Sequence, residues 1–242
     1  ALYQAVGGLD EATFGVSYND VDLCLRVGAL GHRVVWTPLA TLLHEGSASQ
    51  RAAVEDKTQA QKAARFGAEQ AAFYARWPQQ VAQDPHHSPH LSLSDRDYGL
   101  ETRRVLRPEP LRGLAPNHIA VFAADDAGCG QYRVLQPLAA MRAAGLCTGA
   151  PSPELLDTHL LLRTGAQVAV FQRPYTDVGL AALRAAKAVP GLRTVYDIDD
   201  HMAAVPVKSL HHGDVPTDIQ RRILQGVGLC DRLVVSTEPL AA

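Results

Sequence analysis

The residues best suited to chemistry are two carboxylates at the start of one segment and a histidine a short distance downstream. Asp20 and Asp22 open an apolar-periodic stretch, and His44 ends an extended apolar run. A carboxylate can take a proton from a reacting hydroxyl, and a histidine can bind a metal ion. The same acids also suit the positive end of a helix dipole, and one histidine does not make a metal site.

The surrounding residues predict the elements that position these groups. Residues 19–30 are predicted to form a short helix in which Asp22 and Arg26 lie off the apolar face. The apolar face comprises Val21, Cys24, Leu25 and Ala29. Ser17 or Asn19 is expected to cap the helix, and Gly31 to end it. Residues 33–37 are β-branched and aromatic, which predicts a strand, and residues 39–43 are predicted to form a second extended run.

The order of motifs between residues 7 and 49 carries a family resemblance. A Gly-Gly-x-Asp-Glu turn is followed by an aromatic residue, an Asn-Asp pair and Val-Asp-Leu-Cys-Leu-Arg. A Gly-x-Arg strand, a proline, and a histidine with a Ser-rich loop come next. This stretch resembles the C-terminal half of the catalytic domain of family 2 glycosyltransferases, which are inverting enzymes of the GT-A fold.

The resemblance implies roles for individual residues. It places the general base at Asp20 and a ligand for a divalent cation, Mg or Mn, at His44. Position 19 is Asn where the family usually has Glu, a substitution associated with rhamnosyltransferase-like members. The remaining residues assigned to substrate binding in this half are Gly8, Asp10, Glu11, Asn19 and Asp22.

Composition excludes several classes of function. The 242 residues carry a net charge of -2, so no basic surface for nucleic acid is indicated. The four cysteines form no Cys-x-x-Cys pair, which favours free thiols in a reducing compartment, and a cytoplasmic location is expected. No apolar run is long enough to span a membrane. A peripheral place at the inner membrane, reached through a longer parent protein, stays compatible with this.

The middle of the chain is predicted to close the first domain. Residues 50–77 are Ala-rich and predict a long helix, with Phe66, Phe73 and Trp77 as a core-facing stripe. Residues 84–100 resemble the tail that closes such domains in multidomain glycosyltransferases. Its histidines are interpreted as a surface loop rather than a metal site: His86, His87 and His90. Prolines among charged residues then predict a linker at 105–117.

The last part of the chain alternates between strand and helix patterns. Strands are predicted at 118–123, 167–172, 193–198 and 232–236, and helices at 132–144, 154–163, 177–188 and 217–228. This alternation predicts an α/β fold with a doubly wound parallel sheet, in which ligands bind beyond the carboxyl ends of the strands. The Gly-rich loop 128–133 follows the first strand and could cradle a phosphate, although it lacks the spacing of a dinucleotide fingerprint.

A second resemblance covers this part, to the N-terminal Rossmann-like domain of GT-B glycosyltransferases of the family 4 kind. It implies that the domain shapes the acceptor side and needs no cofactor. The residues assigned to substrate binding here are Gly128, Gly130, Arg133, Arg173, Asp197, Asp199 and Asp200. Each one could equally belong to a solvated loop that caps a strand.

Together these patterns predict a partial GT-A-like segment at 1–104, a linker at 105–117 and a Rossmann-like domain at 118–242. The expected function is sugar transfer of a hexosyl or rhamnosyl type in bacterial surface polysaccharide synthesis. The donor is a nucleotide sugar and the acceptor an oligosaccharide or a lipid-linked saccharide. The chain is expected to be a fragment of a longer transferase, inactive alone. The alternatives are a non-catalytic scaffold, or a receiver-like signalling module in which Asp125 and Asp126 bind a metal.

Overall fold

The chain folds as two units, Ala1–Pro78 and Gln79–Ala242. The computed structural model describes residues 2–41, 59–88, 90–93, 99–101, 116–202, 208 and 215–241. The predicted linker lies almost wholly outside the described residues, so the predicted domain boundaries stay predictions. No helix among the described residues is long and apolar enough to cross a bilayer.

The first unit is built on two helices, Asn19–Ala29 and Gln59–Arg76. The first of these confirms the helix predicted at 19–30, and Gly31 follows it with a φ of 82°. No side chain caps its start. Instead, Tyr18 takes a left-handed conformation there, with φ 66° and ψ -1°. A helical turn at Leu2–Ala5 precedes this pair, and another at Pro78–Ala82 follows it.

The face of this helix that packs inward differs from the prediction. Asp22 has no exposed surface, whereas Val21 is 46% exposed and Cys24 is also exposed. The expectation that Asp22 lies away from the core is therefore wrong. The physical reason is that three hydrogen-bond donors surround its carboxylate, which makes burial of the charge tolerable.

The strand predicted at 33–37 does not form. Residues 32–37 carry no strand pairing, and Val34, Val35 and Trp36 are 62%, 69% and 85% exposed. A high β-propensity reflects packing beside neighbouring strands, and the described residues of this unit include no strand for this segment to join. Residues 39–41 of the predicted second extended run contain a turn and a bend instead, because Pro38 starts a turn there. Residues 42–43 and His44 fall outside the described residues.

The long helix predicted at 50–77 is present as Gln59–Arg76, with residues 50–58 outside the described part. Phe73 is buried and stacks on Tyr18 with ring centroids 4.8 Å apart, whereas Phe66 is 48% exposed. The core-facing stripe is thus confirmed at Phe73 and only partial at Phe66.

The second unit contains a five-stranded parallel sheet in the order β2-β1-β3-β4-β5. It confirms the predicted α/β fold and its Rossmann-like, doubly wound character. The strands are β1 (Asn117–Phe122), β2 (Cys147–Pro151), β3 (Val168–Gln172), β4 (Arg193–Ile198) and β5 (Arg232–Val235). The prediction omitted β2, a short edge strand that contains Gly149 and ends at Pro151, and both residue types obscure a strand pattern.

Helices cover both faces of this sheet. On one face Phe122 and Phe171 stack with centroids 4.5 Å apart, and on the other Val121 packs with Val134 and Leu138. The helix after β1 starts earlier than predicted, at Gly128, and contains a π-helical turn at Gln131–Leu135. The helical segments are Gly128–Gly130, Gln136–Ala143, Thr158–Thr164, Asp177–Lys187 and Ile219–Leu229, with a 3₁₀ turn at Glu238–Leu240.

The segment predicted as a closing tail contains turns and one isolated antiparallel bridge, Leu91 to Leu100. His86 and His90 are exposed, and His87 contacts the carbonyl oxygen of Leu91 through Nε2 at 3.2 Å. These positions agree with a surface loop.

Candidate functional site

The centre of the first unit is the buried carboxylate of Asp22. Its Oδ1 accepts hydrogen bonds from Arg76 Nη1 at 3.0 Å and Trp77 Nε1 at 2.9 Å, and its Oδ2 accepts one from Arg26 Nε at 2.7 Å. Burial alone would raise the pKa of this carboxyl, but the donors from Trp77, Arg26 and Arg76 outweigh it and lower the pKa. Because its oxygens are held by three donors, the burial of Asp22 speaks against direct substrate contact.

Arg26 links this centre to the Gly-Gly turn. Its Nη1 donates to the carbonyl oxygen of Val6, and its Nη2 donates to that of Gly8 at 2.7 Å. Gly8 has a φ of 69°, and an added Cβ would lie 3.1 Å from the Tyr3 ring. The positive φ therefore favours glycine at this position.

An open cavity of about 470 Å³ lies beside the turn. Asp10 and Glu11, both assigned to substrate binding, line it together with Arg26 and Arg76. Asp10 accepts a hydrogen bond from Arg76 Nη2 at 2.8 Å, and this contact is the main reason that the pKa of Asp10 is lowered. Two acids and two arginines thus bring charges of both signs to the cavity.

Asp20 stands at the exposed first turn of its helix. It lies two residues before Asp22, or about 200° around the helix axis, so it faces away from the buried centre. Its Oδ1 accepts a hydrogen bond from the Val21 N–H at 2.8 Å, and Asn19 Oδ1 accepts one from the Asp20 N–H at 2.8 Å. Within the part of the chain that the structure describes, no ion pair involves Asp20.

Sequence reasoning missed Glu69 and Arg76 of the long helix, and it named Trp77 only as a core-facing residue and not as a partner of Asp22. Glu69 is buried and accepts hydrogen bonds from the N–H groups of Val16, at 3.3 Å, and Ser17, at 2.8 Å. The only available signal was a glutamate and an arginine within an alanine-rich helix, and these are common on solvated faces. Their partners lie more than 50 residues away in sequence.

The second unit gathers polar side chains at the carboxyl ends of its strands. Asp125 follows β1, Arg173 follows β3, and Asp199 and Asp200 follow β4. The strand order reverses between β1 and β3, and such a switch point is where open α/β sheets bind ligands. The structure therefore brings most of the predicted residues of this unit to one edge of the sheet.

The N–H groups of the Gly-rich turn already bind a carboxylate of the same chain, that of Asp125. Asp125 Oδ1 accepts hydrogen bonds from the N–H groups of Ala127, at 3.1 Å, and Gly130, at 3.0 Å. Asp125 Oδ2 accepts one from Arg173 Nη2 at 2.7 Å. Any phosphate cradled by these N–H groups would have to displace this carboxylate. A Cβ at Gly130 would lie 1.8 Å from the Asp125 carbonyl oxygen, so this glycine permits the turn itself.

Arg133 forms an ion pair with Asp197. Its Nη2 donates to Asp197 Oδ1 at 2.5 Å, and its Nε donates to Oδ2 at 3.3 Å, a two-pronged pair. Asp197 is buried at the end of β4, and this burial raises its pKa although Arg133 acts in the opposite direction. The pair joins the helix after β1 to the sheet.

Arg173 neutralises several carboxylates at once. Besides its bond to Asp125, its Nη1 lies 3.7 Å from carboxylate oxygens of both Asp199 and Asp200. Its φ of 40° is unusual for a residue with a side chain, and such backbone strain is concentrated at functional positions. Ligand atoms of Cys129, Asp199 and Asp200 lie within 4.8 Å of one another, and the cation beside them is Arg173.

One buried donor at this edge lacks a partner. Gln172 is 3% exposed, and its Oε1 accepts a hydrogen bond from the Ala124 N–H at 3.0 Å. Its Nε2 makes no hydrogen bond within the described part of the chain. A buried donor normally finds an acceptor, so an oxygen of a ligand or of water would complete this site.

Comparisons with known proteins give two partial matches among curated proteins. The chain is 41% identical over 103 residues to the uncharacterized protein y4gI of Sinorhizobium fredii, which covers 43% of this chain and 11% of that protein. It is 39% identical over 99 residues to the O-antigen biosynthesis protein RfbC of Myxococcus xanthus, which covers 41% of this chain and 7% of that protein. The matched part is thus about a tenth or less of the length of these relatives. No protein-family model matches the chain, and no solved structure does.

Proposed function

We propose that this chain is part of a glycosyltransferase that acts in polysaccharide biosynthesis. The observation that carries the proposal is the similarity to an O-antigen biosynthesis protein, 39% identity over 99 residues. The order of the Gly-Gly-x-Asp-Glu and Asn-Asp-x-Asp motifs supports the same conclusion. The donor is a nucleotide sugar, and the acceptor is an oligosaccharide or a lipid-linked saccharide.

Asp20 is the proposed general base. Its carboxylate takes the proton of the acceptor hydroxyl while that oxygen attacks the anomeric carbon and the bond to the nucleoside diphosphate breaks. Asp20 is exposed at the start of its helix and forms no ion pair with a described residue. This position suits a group that must contact an incoming hydroxyl. His44, proposed as a ligand of Mg or Mn, lies outside the described residues. Such a metal would neutralise negative charge on the diphosphate leaving group.

The cavity beside the Gly-Gly turn is the proposed place for sugar hydroxyls in the first unit. Asp10 and Glu11 offer acceptors, and Arg76 offers donors, around a space of about 470 Å³. Charges of both signs suit a neutral, polyhydroxylated ligand, because every hydroxyl can both donate and accept.

The carboxyl edge of the sheet is the proposed acceptor-side surface of a second, GT-B-like module. Arg133 and Arg173 are held by carboxylates, so they orient the loops more readily than they bind a diphosphate. The unpaired amide of Gln172 offers a donor for a hydroxyl oxygen. Two modules on one polypeptide would keep a growing acceptor near both sites. A cytoplasmic location belongs to the same proposal.

The receiver-like alternative requires an aspartate at a strand end that can be phosphorylated. At the end of β3, beside Asp125, the chain has Gln172 and Arg173 instead. A small phosphodonor should therefore leave the chain unmodified. The scaffold alternative predicts that the parent protein keeps its activity when Asp20 is changed.

The test is sugar transfer by the full-length protein that carries this chain, across a panel of nucleotide sugars with Mg or Mn. Asp20→Asn should lower turnover by about 100-fold or more, because it removes the proton acceptor. Asp157→Asn, an exposed aspartate of the second unit, serves as the matched control and should leave turnover unchanged. Equal turnover in wild type and Asp20→Asn would overturn the assignment of the base.

A further inference from the structure

We propose that Glu69 is a positioning residue for Asp20, acting through the backbone turn that precedes the helix. This inference rests on the proposed function, in which Asp20 is the general base. Glu69 is 5% exposed, so its carboxylate is a buried charge that needs an explanation. The explanation lies in its two acceptor contacts.

Both oxygens of Glu69 hold the chain just ahead of Asp20. Oε1 accepts from the Val16 N–H at 3.3 Å, and Oε2 accepts from the Ser17 N–H at 2.8 Å. These residues come directly before Tyr18, and Tyr18 comes two residues before Asp20. A carboxylate that receives two successive N–H groups fixes the direction in which the chain enters the helix.

The conformation of Tyr18, the next residue, shows why the direction of the chain must be fixed here. Tyr18 has a φ of 66°, a conformation that a tyrosine keeps only when its surroundings impose it. Its carbonyl oxygen accepts the Asp22 N–H at 2.8 Å, so this strained residue begins the helix that carries Asp20. A relaxed Tyr18 would turn the first helical residues, and the carboxylate of Asp20 would move with them.

The side chain of Tyr18 is held by the same helix that supplies Glu69. Its ring stacks on Phe73 at a centroid distance of 4.8 Å, and its hydroxyl accepts a hydrogen bond from Gln70 Nε2 at 3.2 Å. Glu69, Gln70 and Phe73 occupy adjacent positions on the helix Gln59–Arg76. One helix thus holds both the backbone and the ring of the turn, and Glu69 provides the backbone contacts.

The experiment is a double-mutant cycle in the full-length protein, with kcat and KM measured for nucleotide-sugar transfer. Glu69→Ala should lower kcat by about 10-fold to 100-fold, as expected for a misplaced reacting group, and leave the donor KM unchanged. In the Asp20→Asn variant, adding Glu69→Ala should lower kcat by no more than about twofold further. The effects of residues that act as a unit are not additive. Glu69→Gln keeps one acceptor oxygen and should lose less activity.

The controls separate positioning from folding. Ala71→Gln places a glutamine on the exposed side of the same helix and should retain full kcat. Thermal unfolding shows whether Glu69→Ala folds, and Glu69→Gln replaces it in the cycle if it does not. Multiplicative losses in the double variant, or an unchanged kcat in Glu69→Ala, would overturn the positioning role while Asp20 remains the base. If Asp20→Asn itself has wild-type turnover, the assignment of Asp20 as the base fails, and this inference fails with it.

Discussion

The indole of Trp77 donates a hydrogen bond to the carboxylate of Asp22 at 2.9 Å, across 55 residues of sequence. Arg76 donates to the same carboxylate oxygen, and Arg26 to the other. These donors offset the cost of burying the charge, and removing the charge would leave two arginines without it. Asp22 therefore ties the end of the long helix to the helix that carries Asp20.

Replacing Asp22 with asparagine should destabilise the first unit by about 3 kcal/mol, because two arginines lose the charge that they pair with inside the unit. The measurement is urea unfolding followed by tryptophan fluorescence. Of the two tryptophans, Trp77 is partly buried beside Asp22, and Trp36 is 85% exposed, so the fluorescence change reports this unit. Asp20→Asn, on the exposed side of the same helix, should stay within about 0.5 kcal/mol of wild type. Equal losses in the two variants would contradict the structural role of Asp22.

The parallel sheet could be predicted from sequence because four of its strands are apolar runs that alternate with helix patterns. The edge strand β2 could not, since Gly149 and Pro151 make it resemble a turn. The segment 33–37 shows the converse, because its β-branched residues suit a strand but pair with no strand among the described residues. Local β-propensity predicts a strand reliably only when the chain also contains another strand for the segment to pair with.

The residue types at the candidate sites could be predicted from the sequence, but the contacts between these residues could not. Asp125, Arg173, Asp199 and Asp200 meet because parallel strands end at one edge, which topology alone implies. Asp125 accepts hydrogen bonds from the N–H groups of the Gly-rich turn because of a backbone geometry that no motif encodes. In the same way, the burial of Asp22 depends on Arg76, 54 residues away.

Gly130 and Gly128 form a matched pair for testing the Gly-rich turn. An added Cβ at Gly130 would collide with the Asp125 carbonyl oxygen, whereas at Gly128 it would meet nothing within 4 Å. Gly130→Ala should lower the free energy of unfolding by about 2 kcal/mol or more, because a backbone atom must move. Gly128→Ala should be neutral or slightly stabilising. Far-UV circular dichroism during urea unfolding measures both, and similar values for the two variants would show that the turn is not packed as described.

Arg173 contributes both a charge and a strained backbone, and two substitutions separate these effects. Arg173→Ala and Arg173→Gly both remove the guanidinium from Asp125, Asp199 and Asp200. Only glycine adopts a φ of 40° without steric cost, so the glycine variant should be more stable than the alanine variant by about 1 kcal/mol. Both variants should gain stability as salt is added, since salt screens the remaining carboxylates from one another. Denaturant unfolding at low and high ionic strength tests this, and an alanine variant as stable as the glycine variant would rule out backbone strain.

Asp197 should titrate above the usual range of an aspartate, because burial at the end of β4 raises its pKa more than Arg133 lowers it. A raised pKa means that the folded state holds the proton to higher pH than the unfolded chain does. Ionising Asp197 therefore costs stability, and its contribution falls as the pH rises from the unfolded value of 3.8 through the folded pKa. Arg133→Gln keeps a hydrogen-bond donor and removes the positive charge, so it should raise the pKa of Asp197 further. Carbon-13 NMR of the side-chain carboxyl, assigned with Asp197→Asn, measures the shift directly. A lower pKa in Arg133→Gln would mean that the guanidinium does not face this carboxylate in solution.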